Sequence, residues 1–486
     1  MKVTKQSFSN ILDKTQDQFS ELFDDLILIK NFKSKKFDPK RIFDFQYNLG
    51  LCLYNLASFR SEIVIQEKKM VEIKNKIKRE WFISKMRLYK KFKLEIDNCI
   101  VIGKTLGDAF VWHFYQFNLK DLFKHIEHES IRIPPIGIGG LGELEFIKKY
   151  FFINNHIAIL HGISNFLKVG DVSFISMKDF QLSSIGEIKT KKIDEERVNI
   201  NVTSINAEGR FFLRDDEVQV VNLKENEIYK QYFDPDRFKR QIERMKNIVR
   251  PLETKPNRGK EKFLFDKYNV KELEEVVIGT KNEFLKIMQA GSDLLYVAAR
   301  AKNKIFSKRI NDKEDDSKFQ EKKGEIEQHI ISILDKENPN FHMQFGSVHF
   351  DKHFKPINMI GTAPIFWYPI KPEVLKEIYF QNVFVTTVFN PTQFFNGLRE
   401  MGIEFVKDAV SGKFSLQKNI GDAKMRFEYF NYFLLLIKEH LHTRQAVISV
   451  IKEIILAAEE NGEITKPLKM QTEILQLFTA YNQDSI

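Results

Sequence analysis

The first hundred residues show the spacing of apolar and polar positions that is typical of helices. Asp38-Pro39 predicts a helix start, because a capping residue is followed by proline in the first turn. From there to about Asn98 the chain contains almost no glycine or proline. We therefore predict one or two long helices over this stretch, followed by shorter helices at about 105–117 and 119–128.

The centre of the chain changes to runs of apolar positions that indicate strands. The stretch IPPIGIGGLG (133–142) forms a break, and the short helix GELEFIKKYFF follows it. Strands are predicted at 156–162, 172–176 and 184–190, and two further runs, RVNINVTSI and GRFFLRDDEVQVVNL, suggest that the sheet continues. Asp234 and Pro235 then begin a helix that reaches residue 250.

Two charged segments, ETKPNRGKEK (253–262) and NDKEDDSKFQEKKGE (311–325), indicate linkers. A helical segment is predicted at about 270–304; later in the chain FWYPI and NVFVTTVFN are strand-like and 421–460 is predicted to be one long helix. The fold class is therefore α/β (mixed α+β), with a central mixed sheet flanked by helices. Its four predicted parts are a helical region (1–104), a central sheet domain (105–252), a helical connector (253–325) and a C-terminal α+β domain (326–486).

Composition is that of a soluble globular protein, with 43% hydrophobic and 29% charged residues among 486. The net charge of +10 permits an anionic partner such as nucleic acid. Cys52 and Cys99 are too few for a disulfide framework and fit a reducing cytosol. The N-terminus lacks the apolar core of a signal peptide, and the longest late apolar stretch is too short for a bilayer. We expect a cytoplasmic protein with no membrane contact.

Lys and Arg outnumber Asp and Glu by about two to one between residues 57 and 98. This excess has two interpretations. The helices there present a solvated basic face, or they form a phosphate-contacting arm or a partner-binding hairpin.

Candidate chemistry centres on the segment VGDVSFISMKDFQLSSIGEIKTKK, residues 169–192. Glu187 and Lys189 share one face of a predicted strand, because side chains alternate. Antiparallel pairing through SMKDFQLSS would bring Asp171 beside Glu187. Two neighbouring carboxylates repel one another, so the pair is best explained by a divalent cation between them.

The arrangement resembles the PD-(D/E)xK, or restriction-endonuclease-like, nuclease superfamily over about residues 139–250, with glycine in place of the usual proline before the aspartate. The resemblance implies hydrolysis of phosphodiester bonds with Mg²⁺ or Mn²⁺. Asp171, Glu187 and a helix acid would hold the metal, and Lys189 would position or activate the attacking water. DNA is the expected substrate rather than RNA, by analogy with the superfamily.

Three residues compete for the helix acid. Glu143 shares a helix face with Ile147 and Tyr150, whereas Glu145 falls with Lys148 and Lys149 on the solvent side, so helical geometry favours Glu143. Asp108 is an alternative that precedes Asp171 by 63 residues.

The resemblance also implies a helix after the E-x-K strand that carries polar or basic residues toward the substrate. Gln241 and Arg244 are the candidates there, with Arg237 and Arg240 for backbone phosphates. The large flanking regions suggest recognition, homo-oligomerisation or docking of a partner protein, as in bacterial restriction or anti-phage defence. The alternative is a non-catalytic nucleic-acid-binding or scaffold subunit that binds through the basic helices at 60–97.

Other motifs carry less weight. Residues 137–142 match G-x-G-x-x-G, but Pro134-Pro135 stands where a dinucleotide motif needs a strand, so a tight loop is expected. The histidines of FHMQFGSVHFDKHF (His342, His349 and His353) lack the spacing of a metal site and are interpreted as structural.

Overall fold

The computed structural model divides the chain into two compact units, Met1–Asn257 and Arg258–Ile486. The protein is a mixed α+β protein, as the sequence predicts. The four-part division of the chain stays a prediction. The structure describes residues 3–30, 39–115, 119–126, 136–153, 155–178, 181–192, 198–206, 240, 243–245, 247–248, 268–300, 324–333, 343–348, 364–407, 414–420, 423–427 and 431–461.

Three long helices form the first part of unit 1: α1 (Lys5–Lys30), α2 (Pro39–Glu72) and α3 (Arg79–Tyr115). A short 3₁₀ turn, Lys74–Lys76, joins α2 to α3, and the three helices pack on one another. The separate helix predicted at 105–117 is the last third of α3. That prediction was wrong because Gly103 and Gly107 are accommodated inside the helix by close packing rather than ending it.

The central sheet of unit 1 has five strands in sequential order. Each pairs antiparallel with the next: β1 (Phe152–Ile153), β2 (His156–Leu160), β3 (Val172–Ser176), β4 (Leu182–Lys192) and β5 (Val198–Asn206). The strands predicted at 156–162, 172–176 and 184–190, and the run RVNINVTSI, are therefore confirmed. The expected mixed sheet is antiparallel throughout its described strands, because short connections join consecutive strands. The run GRFFLRDDEVQVVNL lies outside the described residues.

Two further helices precede the sheet: α4 (Leu119–Ile126) and α5 (Ile138–Tyr150). Helix α5 packs on β4, where a Cβ on Gly142 would stand only 1.7 Å from Thr190 Oγ1. Phe146 of α5 meets Phe174 of β3 edge-to-face. The tight loop expected over 137–142 is confined to Gly137, at φ 74°, because the helix already begins at Ile138.

Helices α2 and α3 are joined to the sheet by polar and glycine contacts. Gln46 donates through Nε2 to Ala158 O (2.9 Å) and accepts from Leu160 N–H through Oε1 (3.0 Å), so its amide completes the backbone bonding of β2. Gly107 of α3 lies directly on a 3₁₀ turn, His161–Ile163, that follows β2. These contacts fix the turn between β2 and β3 against the helical layer.

The described residues of unit 2 form two antiparallel sheets. One has the strand order β6-β7-β9-β8, and the other is β10-β11-β12. Their bounds are β6 (Leu285–Ala290), β7 (Leu294–Arg300), β8 (Gln344–Ser347), β9 (Val383–Phe389), β10 (Glu404–Lys407), β11 (Phe414–Ile420) and β12 (Ala423–Phe427). The helices of unit 2 include α6 (Val270–Gly279), α7 (Pro372–Tyr379), α8 (Thr392–Glu400), α9 (Asn431–Lys438) and α10 (Arg444–Asn461).

Three secondary-structure predictions for unit 2 were wrong. The helix predicted at 270–304 ends at Gly279, and β6 and β7 follow, since residues 285–300 pair as a hairpin. FWYPI begins inside a 3₁₀ turn, Ile365–Trp367, because its apolar side chains are buried without strand pairing. The long helix predicted at 421–460 is β12, α9 and α10 in succession. NVFVTTVFN forms β9, as predicted.

None of the helices in the described part of the chain is long and apolar enough to cross a membrane. The histidines His342, His349 and His353 lie outside the described residues.

The packing of Gly107 gives a stability prediction. A Cβ at this position would lie 1.9 Å from Ile163 O, so Gly107→Ala must displace backbone. We expect the free energy of unfolding of unit 1 to fall by about 3 kcal/mol, measured by urea denaturation. Gly139→Ala is the matched control, since nothing lies within 4 Å of its Cβ position. A Gly107→Ala protein as stable as wild type would contradict this packing.

Candidate functional site

Three of the predicted residues meet where β3 begins beside β4. Asp171 directly precedes β3, and its Oδ2 accepts a hydrogen bond from Ile188 N–H at 2.7 Å. Ile188 stands between Glu187 and Lys189 on β4, so the aspartate carboxylate lies at the centre of the E-x-K segment. Lys189 Nζ is 2.7 Å from Glu187 Oε1. The structure therefore brings Asp171, Glu187 and Lys189 together.

Two of these three side chains are buried, and the third is half-exposed. Asp171 and Glu187 are buried, whereas the Lys189 side chain is 48% exposed. A buried carboxylate loses hydration and needs a partner, which the Ile188 N–H and the Lys189 ammonium supply here. The half-exposed Lys189 side chain marks the side on which this group is open to solvent.

Asp171 is held by its backbone as well as by its side chain. Its N–H donates to Gly186 O at 2.7 Å, and its carbonyl accepts from His161 N–H at 2.9 Å. The preceding residue, Gly170, has φ 74°, in the region that favours glycine. A Cβ there would also stand 2.5 Å from Ile185 Cγ2. Gly170 therefore allows the chain to turn tightly into Asp171, which a proline could not do at this φ.

The two glutamates of α5 lie on opposite sides of the helix. Glu143 is buried, and its Oε2 is 3.3 Å from the Cβ position of Gly162, in the turn whose His161 binds Asp171. Glu145 is 52% exposed and lies 3.8 Å from Lys148. This is the placement that helical spacing predicts; the role of Glu143 as a metal ligand stays a prediction.

The acids do not form a ready-made three-ligand metal centre. Within the residues that the structure describes, no group of three or more His, Cys, Asp or Glu side chains is placed to hold a metal ion. Glu143, which lies beside Gly162, is not part of such a group with Asp171 and Glu187. The donor set that remains, two adjacent carboxylates, still fits Mg²⁺, which takes one or two carboxylates and fills its other positions with water and phosphate oxygens.

Asp108, the alternative helix acid, is hydrogen-bonded to the loop between β2 and β3. Its Oδ1 accepts from Ser164 Oγ (2.5 Å) and from the N–H groups of Asn165 (2.6 Å) and Phe166 (3.3 Å), and its Oδ2 accepts from Asn165 Nδ2 (2.9 Å). The carboxyl thereby holds the loop between β2 and β3. Burial raises its pKa to about 6, against the opposing effect of these hydrogen bonds and of Lys104.

A buried polar chain behind Asp171 was not assigned from the sequence. Tyr115 Oη lies 2.5 Å from Ser173 Oγ, which lies 2.6 Å from His161 Nε2, and His161 Nδ1 lies 3.0 Å from Gly170 O. A carbonyl only accepts, so Nδ1 carries the proton, and in a neutral imidazole Nε2 accepts from Ser173. Tyr115 then donates to Ser173. His161 thus binds both carbonyls of the Gly170-Asp171 pair, one through its ring and one through its N–H.

The helix expected after the E-x-K strand is described only in part. Residues 240, 243–245 and 247–248 are helical, and Met245 and Ile248 pack on Ile185 of β4. Ile185 and Glu187 are two residues apart on one strand, so this helical segment covers the face that carries Glu187 and Lys189. Arg240 and Arg244 are exposed on it. Gln241 and Arg237 lie outside the described residues.

Comparison of the chain with protein-family models, with curated proteins and with solved structures finds no match.

The raised pKa of Asp108 predicts a pH dependence of stability. The folded state retains this proton up to about pH 6, whereas the pKa of an unfolded aspartate is 3.8. Stability from this group is therefore complete below pH 4 and is lost as pH rises through about 6. We expect wild type to lose stability relative to Asp108→Asn over this interval, measured by urea midpoints. Ser164→Ala keeps the carboxyl and should keep the pH dependence; parallel profiles of wild type and Asp108→Asn would contradict the assignment.

Proposed function

We propose that the protein is a metal-dependent nuclease that hydrolyses phosphodiester bonds, with DNA as the favoured substrate. The observation that carries the proposal is the hydrogen bond from Ile188 N–H to the Asp171 carboxylate, which locks an aspartate onto the centre of an acid-x-lysine strand. Two buried carboxylates and a half-exposed ammonium then share one small site. That combination matches what phosphodiester hydrolysis needs from a protein.

Each residue has a role in this proposal. A divalent cation, Mg²⁺ or Mn²⁺, bound at the carboxylates would polarise the scissile phosphate and stabilise the leaving oxygen. Asp171 and Glu187 provide the negative charge that binds it, with Glu143 as a third, more distant acid. Lys189 holds the attacking water and offsets developing charge on the phosphate. Water adds to phosphorus and gives up a proton to solvent, the ester P–O bond breaks, and the departing oxygen takes up a proton from solvent.

The helical segment after the E-x-K strand would contribute to substrate binding. Arg240 and Arg244 are exposed on the described part of this segment, whose Met245 and Ile248 pack with Ile185 on the strand face that carries Glu187. Guanidinium groups there suit contacts to backbone phosphates. Gln241 stays a candidate from the sequence alone. A role in restriction or anti-phage defence, a homo-oligomer or partner protein, and a cytoplasmic location complete the proposal, the last supported by the buried free thiols of Cys52 and Cys99.

The proposal predicts the outcome of a cleavage assay. Full-length protein with Mg²⁺ or Mn²⁺ is incubated with supercoiled plasmid, single-stranded DNA and RNA. We expect Asp171→Asn and Lys189→Ala to lower the cleavage rate by about 100-fold or more, because each removes a charge from the reacting centre. Asp171→Asn keeps an acceptor for Ile188 N–H and so tests charge rather than folding. EDTA should abolish cleavage.

Lys148→Ala is the matched control for this assay, since that lysine is 57% exposed on α5. Equal cleavage by wild type and both site variants would show that the site is wrong. If wild type never cuts but binds nucleic acid equally well in EDTA, the alternative of a non-catalytic binding or scaffold subunit is favoured.

The two glutamates of α5 provide a second, internally controlled test. We expect Glu143→Gln to lower the cleavage rate by about 10–100-fold, the usual cost of losing a residue that supports metal ligands. Glu145→Gln should cleave like wild type because its side chain faces solvent. If Glu143→Gln retains full activity under saturating Mn²⁺ and under limiting Mn²⁺, the site uses Asp171 and Glu187 alone.

A further inference from the structure

The positive charge of the protein is concentrated at one place in unit 1. We name residues 67–93, the C-terminal end of α2, the 3₁₀ turn and the N-terminal end of α3, the hairpin tip. The hairpin tip contains eleven Lys or Arg residues and three Glu residues, a net charge of +8. The whole chain has a net charge of +10. One short segment therefore accounts for most of the excess.

The hairpin tip lies far from the sheet. Gln46 of α2 and Gly107 of α3 contact the β2 strand and its following turn. At 1.5 Å per residue, the turn at Lys74–Lys76 is about 40 Å along the helices from these contacts. Helix α1 packs on the pair through Phe8, which stacks on Phe92 and lies 6.4 Å from Phe59.

Ion pairs within the hairpin neutralise only a few of the positive charges of the tip. Lys93 binds Glu67 across the two helices, and Lys91 lies 3.7 Å from Glu95 just beyond the tip. Three glutamates neutralise at most three of the eleven cations. Most of the basic side chains are exposed, namely Lys68, Lys69, Lys74, Lys76, Lys78, Arg79, Arg87, Lys90 and Lys91.

Exposed aromatic and apolar surface is interleaved with these charges. Trp81 is 47% exposed, with Lys85 Nζ 5.8 Å from its ring centre. Lys74 Nζ lies 5.8 Å from the ring of Phe82. Cations around an exposed indole are what a nucleic-acid strand requires, since phosphates bind the cations while a base stacks on the ring.

We propose that the hairpin tip is a binding surface for the phosphate backbone of nucleic acid, with Trp81 as a stacking platform for an unpaired base. The inference rests on charge and exposure in the tip and does not require the Asp171 site to be catalytic. The tip would supply salt-dependent, sequence-independent affinity. In a nuclease, it would hold the substrate while a separate part of unit 1 cleaves it.

The test measures binding of labelled single-stranded and duplex oligonucleotides to full-length protein by fluorescence anisotropy, in EDTA, at several salt concentrations. The tip variant carries Lys74→Gln, Lys76→Gln, Lys78→Gln and Arg79→Gln. The matched control removes four exposed cations elsewhere in unit 1: Lys14→Gln, Lys40→Gln, Lys148→Gln and Lys178→Gln. Both variants lose the same formal charge, so only location differs.

We expect the tip variant to bind at least tenfold more weakly, and its slope of log K against log[salt] to fall by about 3, because four phosphate contacts are lost. The control should bind like wild type. Trp81→Ala should weaken single-stranded binding by about fivefold or more and affect duplex binding less.

Three results would overturn the proposal. In the first, the tip variant binds as tightly as wild type, or both variants weaken equally. In the second, wild type shows no salt-dependent binding to either oligonucleotide. In the third, wild type ignores oligonucleotides but binds vesicles containing phosphatidylserine through the tip. Because EDTA is present throughout, none of these results depends on whether the Asp171 site cleaves.

Discussion

Three hydrogen bonds converge on Asp171, and the arrangement of the candidate site depends on them. Its N–H binds Gly186 O, its carbonyl binds His161 N–H, and its carboxylate binds Ile188 N–H. Together they tie the start of β3 to β4 and to the turn that follows β2. A carboxylate held in this way has little freedom to move away from Glu187, so the two acids stay adjacent despite their mutual repulsion.

The helical layer supplies the rigidity behind this arrangement. Gln46 completes the hydrogen bonding of β2, and Gly107 allows α3 to contact the turn that follows β2. Asp108 accepts hydrogen bonds from the N–H groups of the loop after that turn. The buried chain from Tyr115 through Ser173 to His161 ends on the Gly170 carbonyl. Long helices that are remote from the site in sequence are therefore what hold its turn in place.

The proposed chemistry and the proposed nucleic-acid affinity lie in different parts of unit 1. The site places two buried acids next to one half-exposed lysine, a balance that suits cation binding at a phosphate. The hairpin tip carries a net charge of +8 that suits long-range attraction of a polyanion. A site with two acids repels phosphate by itself, and a divalent cation bound at the acids would offset that repulsion locally. Both features are consistent with one nucleic-acid substrate that spans a long distance on the protein.

The sequence by itself determined the strands 156–162, 172–176 and 184–190, because runs of apolar positions indicate strands. It also determined that Glu143 rather than Glu145 is buried, because helical spacing decides which side chains face the core. It also identified Asp171, Glu187 and Lys189, since alternation and a hairpin-length gap make them neighbours. Only the tertiary structure decided the role of Asp108, whose loop partners lie 56 or more residues away. It alone placed Glu143 beside Gly162 rather than in a three-ligand centre with Asp171 and Glu187, and it alone divided 270–304 and 421–460 into strands and helices. The reason is physical: local periodicity follows from backbone geometry within a few residues, whereas distances between side chains follow from packing between elements that are far apart along the chain.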